Sequence, residues 1–235
     1  MKSFPSVLVT RQNPEGPALQ KILESSGFLS TWLPMFELSP LKFDLSLEEG
    51  DALIFMSRFA LRQFAVSVKS LPQKVKFFSV GSGTASEFKK FFPREMILFP
   101  LEESSEGLLP LLLKEGDWHR ALIFQEKEGR KFLMEQLSLQ GRKVFSIPSY
   151  EKIANPEFPS KMRSLAHEIV LLSSTENLNF FLSLPKPPGY VPWITVLPGR
   201  MEDLARERGY SKLIPLHNFS HETVLSALQK DRWTT

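Results

Sequence analysis

The chain repeats itself, and that repeat restricts the folds open to it more than any single motif does. Aligning Leu8, Val9, Thr10 and Arg11 with Leu122, Ile123, Phe124 and Gln125, an offset of 114, also aligns Leu19 with Leu133, Leu23 with Leu137, Gly27 with Gly141 and Pro34 with Pro148. A second offset of 116 places Ile54, Phe55, Met56 and Ser57 on Val170, Leu171, Leu172 and Ser173. It also places Phe64 on Phe180, Val80 on Val196, and Ser104 and Glu106 on Ser220 and Glu222. A small linker insertion accounts for the difference between the offsets. The order is therefore A, B, A′, B′, and in each part short apolar runs alternate with segments of helical periodicity. Parallel neighbours need a crossover connection, so this alternation predicts an α/β protein of two similar doubly wound parallel-sheet domains, flavodoxin-like in kind. The repeat alone leaves the pairing open: A with B and A′ with B′, or B with A′ while A closes on B′.

The local pattern predicts strands over 7–10, 30–36, 51–56, 77–80 and 96–99, and helices over 17–26, 59–68, from Thr84, and over 104–113. Residues 37–47, with Pro40, read as a connector. A length of 235 residues with 42% apolar content gives each half enough material for its own core. The twenty phenylalanines fall mostly at strand and helix-face positions and read as core. Cysteine is absent, which removes disulfides, thiolate metal sites and cysteine nucleophiles and makes the cytoplasm the natural compartment. Net charge is +3 with no basic run, so no nucleic-acid partner is expected and a modest preference for small acidic ligands is the most it supports. The densest apolar run, 108–113, contains Pro110 and is far short of the ~20 residues of a membrane helix. The first residues lead directly into a strand without a long apolar leader. With no long apolar face left over, a monomer is expected.

Ligands in open parallel sheets lie beyond the carboxyl ends of the strands. The residues expected on that edge are rich in hydroxyls and backbone donors: Thr10 and Arg11, Ser57 and Arg58, Gly81, Ser82, Gly83 and Thr84, Ser104, Ser105 and Gly107, Gly129 and Arg130, Ser149 and Tyr150, Ser173 and Ser174. The turn at 81–84 is the focal one. Its glycines permit a tight strand-to-helix passage, and a helix opening there presents free amides to an anion. An ordinary capped turn explains the same residues. It lacks the third glycine of a dinucleotide fingerprint and the lysine of a phosphate loop. The edge holds no histidine and few carboxylates, so imidazole base catalysis and metal-assisted hydrolysis are poorly supported. His217 and His221 have a helical metal spacing, but Ser220 reads as the N-cap between them, and no metal is expected. His119 and His167 read as surface or packing residues. Arg130 near a helix start opposes the dipole there, which an anionic ligand would offset; a plain surface position explains it equally. Tyr150 stands where the first repeat has Phe36 and adds a phenolic donor, or simply a packed ring with a wet tip.

Residues 7–11, 53–58, 80–85 and 105–109, Gly129-Arg130 followed by Leu133, and Gly141 to Tyr150, in this order and spacing, resemble the uroporphyrinogen-III synthase family. The resemblance implies a cofactor-independent hydro-lyase of heme biosynthesis that cyclises hydroxymethylbilane with inversion of its last ring. It implies two α/β domains joined by a two-stranded β connector, with the active site in the cleft between them. One domain would be 43–150 and the other 1–37 with 161–235, leaving 38–42 and 151–160 as linkers. Tyr150 would act on the departing hydroxyl, while Arg11, Ser57, Arg58, Gly81, Ser82, Gly83, Thr84, Ser105, Gly107, Gly129, Arg130, Ser173 and Ser174 would bind substrate. The chain departs from the family at Met56, where Thr is common, and at Gln125-Glu126-Lys127, where a Pro-Arg-Gly-like run is common. It also has Leu197-Pro198-Gly199-Arg200-Met201 in place of a Gly-Pro-Thr-Thr-Ala turn.

Overall fold

The computed structural model describes residues 4–230. In chain order the elements are β1 (Val7–Val9), α1 (Glu15–Ser25), β2 (Ser30–Trp32), β3 (Phe36–Pro40), β4 (Asp51–Phe55), α2 (Arg58–Ser67), β5 (Lys76–Ser79), α3 (Ser82–Phe91), β6 (Ile97–Leu98) and α4 (Ser105–Lys114). They continue with β7 (Arg120–Glu126), α5 (Phe132–Leu139), β8 (Lys143–Ala154), α6 (Phe158–Leu165), β9 (Ile169–Leu171), α7 (Thr175–Ser183), β10 (Trp193–Val196), α8 (Arg200–Glu207), β11 (Leu213–Pro215) and α9 (His221–Leu228). The chain divides into two compact units, one formed by residues up to Glu37 and from Ile153 onward, the other by Leu38–Lys152.

The first unit has a five-stranded sheet in the order β11-β10-β9-β1-β2, parallel throughout. Renumbered within the unit, that is the flavodoxin-like order 2-1-3-4-5 read from the β2 side. The second unit's sheet runs β3-β8-β7-β4-β5-β6, with β8, β7, β4, β5 and β6 parallel. The same spatial order thus arises with the two halves exchanged along the chain: the A′ strands β7 and β8 come after the B strands but lie beside them. β3 and β8 are neighbours, and both carry the chain between the units.

Strand alternation explains why each sheet is covered twice. In the second unit Leu53, Phe55, Leu122 and Phe124 point to one face, where they meet Leu61 and Phe64 of α2 and Phe88 of α3. Ala52, Ile54, Ala121 and Ile123 point to the other, against Leu108 and Leu112 of α4 and Leu133 and Leu137 of α5. The first unit repeats this: Leu8, Val170, Ile194 and Val196 pack with α6, α7 and α8, and Val7, Val9, Ile169 and Leu171 with α1 and α9. Full burial of side chains such as Phe55 and Phe64 contributes about 1.5–3 kcal/mol each.

Three details differ from the local pattern. The strand expected over 30–36 stops at Trp32, although Leu33 and Met35 still donate to the Val9 and Thr10 carbonyls; Pro34 between them has no N–H to give. α3 opens at Ser82 rather than Thr84. Residues 158–165, mostly outside the expected elements, form α6, held by Phe158 and Met162 at an i, i+4 spacing, both fully buried.

Candidate active site

Tyr150 lies near the carboxyl end of β8, two residues past Pro148 and paired with Glu126, where the register of β7 and β8 shifts. That irregularity turns the phenol into the packed face, 8% exposed, with its ring edge-on to Phe59 at 5.0 Å. β4 ends at Phe55, and Ser57 two residues later caps α2 by accepting the Ala60 amide at 3.1 Å. The Ser57 hydroxyl also donates to the Tyr150 phenolic oxygen at 3.1 Å. Burial pushes the phenol above its ordinary pKa, partly offset by the Ser57 hydrogen bond, with the nearby Glu126 carboxylate raising it further. Tyr150 is therefore a protonated donor at neutral pH.

The glycine turn sits at the next strand end. Gly81 is the N-cap of α3 and offers no side chain, so the first amides depend on an outside acceptor. The structure supplies one: the Glu103 carboxylate accepts the Ser82 N–H at 3.0 Å, and the Ser82 hydroxyl and amide together hold that carboxyl below its usual range. A Cβ on Gly81 would come 2.3 Å from Glu103 Oε2, and one on Gly83 would come 2.5 Å from Arg58 Nη2. Both glycines are there for close approach, the first by a carboxylate and the second by a guanidinium. Thr84, expected as an open donor, is buried in α3.

At the third strand end Ser104 caps α4 by accepting the Gly107 amide at 2.9 Å. Ser105 is buried as the first helical residue, and Gly107 leaves room for the Glu102 carbonyl, which a Cβ would meet at 2.2 Å. Arg130 is paired with Glu106 at 2.6 Å, so a carboxylate of this chain answers the charge that a ligand was expected to offset. Gly129 closes the turn after β7 through its N–H to the Glu126 carbonyl at 2.9 Å. Carboxylates are thus more prominent on this edge than the sequence pattern suggests. Glu103 and Glu106 were missed, although the acid-rich run Glu102-Glu103-Ser104-Ser105-Glu106 directly before Gly107 was a visible signal.

The remaining candidates belong to the first unit. Arg11 follows β1 and donates to the Phe219 carbonyl at 3.1 Å, with burial lowering its pKa and Glu15 acting the other way. Ser174, not Ser173, caps α7, accepting the Asn177 amide at 3.1 Å. Ser173 is half-buried between β9 and that cap. Among the described residues, no cluster of three or more His, Cys, Asp or Glu could hold a metal ion, and His217 instead contacts the Thr223 hydroxyl at 3.1 Å. No helix of the described residues is long and apolar enough to cross a membrane.

A family model described as uroporphyrinogen-III synthase HemD matches residues 17–197. The protein named uroporphyrinogen-III synthase in Escherichia coli strain K12 is 30% identical over 246 aligned residues, which cover 95% of this chain and all of the relative. Its namesake in Salmonella typhimurium is 28% identical with the same coverage. Among solved structures, uroporphyrinogen-III synthetase from Helicobacter pylori superposes with a TM-score of 0.64 at 16% identity, covering 95% of this chain and 97% of that one. A mutant uroporphyrinogen III synthase from Thermus thermophilus gives 0.58 at 15% identity, covering 96% and 99%. The structural likenesses bear on the fold; the family match and the sequence relatives carry descent. On both counts the chain belongs to the uroporphyrinogen-III synthase family.

Proposed function

We propose that this chain cyclises hydroxymethylbilane to uroporphyrinogen III, with inversion of the last ring and loss of water. The observation that carries the reading for this chain's own residues is the buried, protonated phenol of Tyr150 at the strand-end edge, hydrogen-bonded to Ser57. The substrate's hydroxymethyl carbon is attached to an electron-rich pyrrole whose nitrogen pushes the hydroxyl out. The carbon–oxygen bond breaks as Tyr150 donates a hydrogen bond to the departing oxygen, which leaves as water once protonated. The resulting azafulvene cation is attacked by the substituted carbon of the last ring. A spiro intermediate follows, then rearrangement and loss of a proton to the inverted isomer. No strong acid is required; the main task is to hold the chain in the conformation that makes this attack faster than uninverted closure.

Arg58, Arg130 and the opening amides of α3 are the groups suited to the substrate's carboxylates. Glu103 and Glu106 now answer the amide of Ser82 and the guanidinium of Arg130, so substrate carboxylates would take over those donors. The protein is proposed to act in the cytoplasm, as a monomer, without a cofactor.

The test is product identity. Purified protein with hydroxymethylbilane is expected to yield the type III isomer, and type I alone above background overturns catalysis. Tyr150→Phe is expected to lower turnover at least about tenfold, the weight of one hydrogen bond lost in the transition state. Full turnover in that variant removes the phenol from the mechanism while leaving the isomer result intact.

A further inference from the structure

The Ser57 hydroxyl stands between two groups. It accepts the Ala60 amide as N-cap of α2, and the phenolic oxygen of Tyr150 lies at the same 3.1 Å distance. A hydroxyl has one proton and two lone pairs. The bond runs from the Ser57 hydroxyl to the phenolic oxygen, and the Ala60 amide, which needs only one lone pair, leaves the Ser57 proton able to make it. A phenolic O–H lies near the plane of its ring and so has two settings. Ser57 occupies one of them. The ring cannot turn away, since it is 8% exposed and set edge-on against Phe59. Among the described residues the phenol has no hydrogen-bond partner besides Ser57.

We propose that Ser57 is a positioning residue: by donating to the Tyr150 oxygen it fixes the phenol's own proton in the opposite setting, where a leaving hydroxyl can receive it. This rests on the reading that Tyr150 acts on the departing oxygen. It moves Ser57 from the substrate contacts the family resemblance implied to a contact made through Tyr150. Donation to the phenolic oxygen also strengthens the phenol as a donor, because hydrogen bonds in a chain polarise one another. The bond lowers the phenol's pKa against the upward push of burial.

Ser57 also stabilises the helix, so the variants must separate capping from donation. Ser57→Ala loses both, Ser57→Thr keeps both, and Ser57→Asp keeps the cap while its carboxylate can accept but not donate. The direct readout is the ultraviolet titration of Tyr150, obtained by subtracting the Tyr150→Phe spectrum. The chain has three tyrosines, and burial holds Tyr190 up to about 12 and Tyr210 higher still. Ser57→Ala and Ser57→Asp are expected to shift the Tyr150 midpoint upward, and Ser57→Thr to return it. In Ser57→Asp the thermal midpoint is expected to stay near the parent's, while kcat falls about tenfold and KM is unchanged. Combined with Tyr150→Phe, Ser57→Asp is expected to add no further loss of kcat. An unmoved titration in Ser57→Ala, or full kcat in Ser57→Asp, overturns the proposal even if Tyr150→Phe is impaired. A shifted titration with full activity in Tyr150→Phe overturns the role of the phenol instead, and with it any catalytic purpose for the Ser57 bond.

Discussion

The two units share one strand order, yet the turns that open their equivalent helices α3 and α8 are built differently. α3 has no acidic residue in its first turn and takes a carboxylate from Glu103, in a separate loop. α8 carries Glu202 and Asp203 within its own first turn, and the Leu197 amide just before it rests on the Met201 sulfur at 3.5 Å. Gly81 is extended at φ −165° and is a glycine because Glu103 is close, whereas Gly199 has φ 81° with open space around its missing Cβ. One turn is served by a carboxylate brought from another loop. The other is served by charges built into the helix. The altered residues at 197–201 therefore leave a settled turn, and the anion seat proposed above lies in the second unit.

The sharpest test of that contrast is a pair of alanines. Gly199→Ala is expected to cost about 1–3 kcal/mol, because that backbone setting is nearly restricted to glycine, and to leave KM untouched. Gly81→Ala carries no backbone strain and is expected to displace Glu103, changing KM more than the unfolding midpoint. Equal effects in chemical denaturation and kinetics would break the comparison.

A second contrast sits at the opposite edge, where the offset of 116 places Asp51 on His167. In the second unit the buried Asp51 carboxylate is paired with Arg120 at 2.6 Å. In the first unit His167 is 4% exposed, with Nε2 on the Thr31 hydroxyl at 2.9 Å and Nδ1 buried with no hydrogen-bond partner among the described residues. Burial lowers the imidazole's folded pKa below its unfolded value of about 6.5. The unfolded chain therefore takes up the proton first, and stability is expected to fall as pH drops below ~6.5, down to the folded pKa. Thermal melts between pH 7 and pH 5 should show a shallower slope for His167→Gln; an unchanged slope would assign the sensitivity elsewhere. The smallest effect is expected for Glu103→Gln, which keeps a hydrogen-bond acceptor but removes the competing charge. KM for the polyacidic substrate should fall on the order of a fewfold with the melting midpoint nearly unmoved. A raised KM would mean that Glu103 helps hold the substrate.

Much of the architecture was legible because burial repeats with the strands. Leu19 and Leu133, Leu23 and Leu137 are all buried, and Gly27 and Gly141 both take positive φ where α1 and α5 end. The helices were harder to register. The offset of 116 holds in the strands, where Ile54 pairs with Phe78 and Val170 with Ile194, and at the N-caps Ser104 and Ser220, but it slips to 117 in α7. Ser57 then answers Ser174, both N-caps, and Phe64 answers Phe181, both fully buried. One extra residue before α7 causes the slip, and strand alternation carries no trace of it. The site was legible as a list of strand ends, not as contacts. The folding-back of Glu103 onto Ser82 depends on a loop with no periodicity, and the Ser57 bond to Tyr150 on a register shift late in β8.

The exchanged halves of the second unit have a consequence for biosynthesis. β1 takes its place beside β9, with Val7 opposite Ile169, so the opening strand of the chain must wait for a partner made some 160 residues later. Strands β4 to β8 leave the ribosome as one uninterrupted stretch and can assemble in the meantime. The first unit, whose central pairing joins segments that lie before and after the other in the sequence, is therefore the one whose nascent half stays exposed longest and the one whose completion is expected to limit the rate.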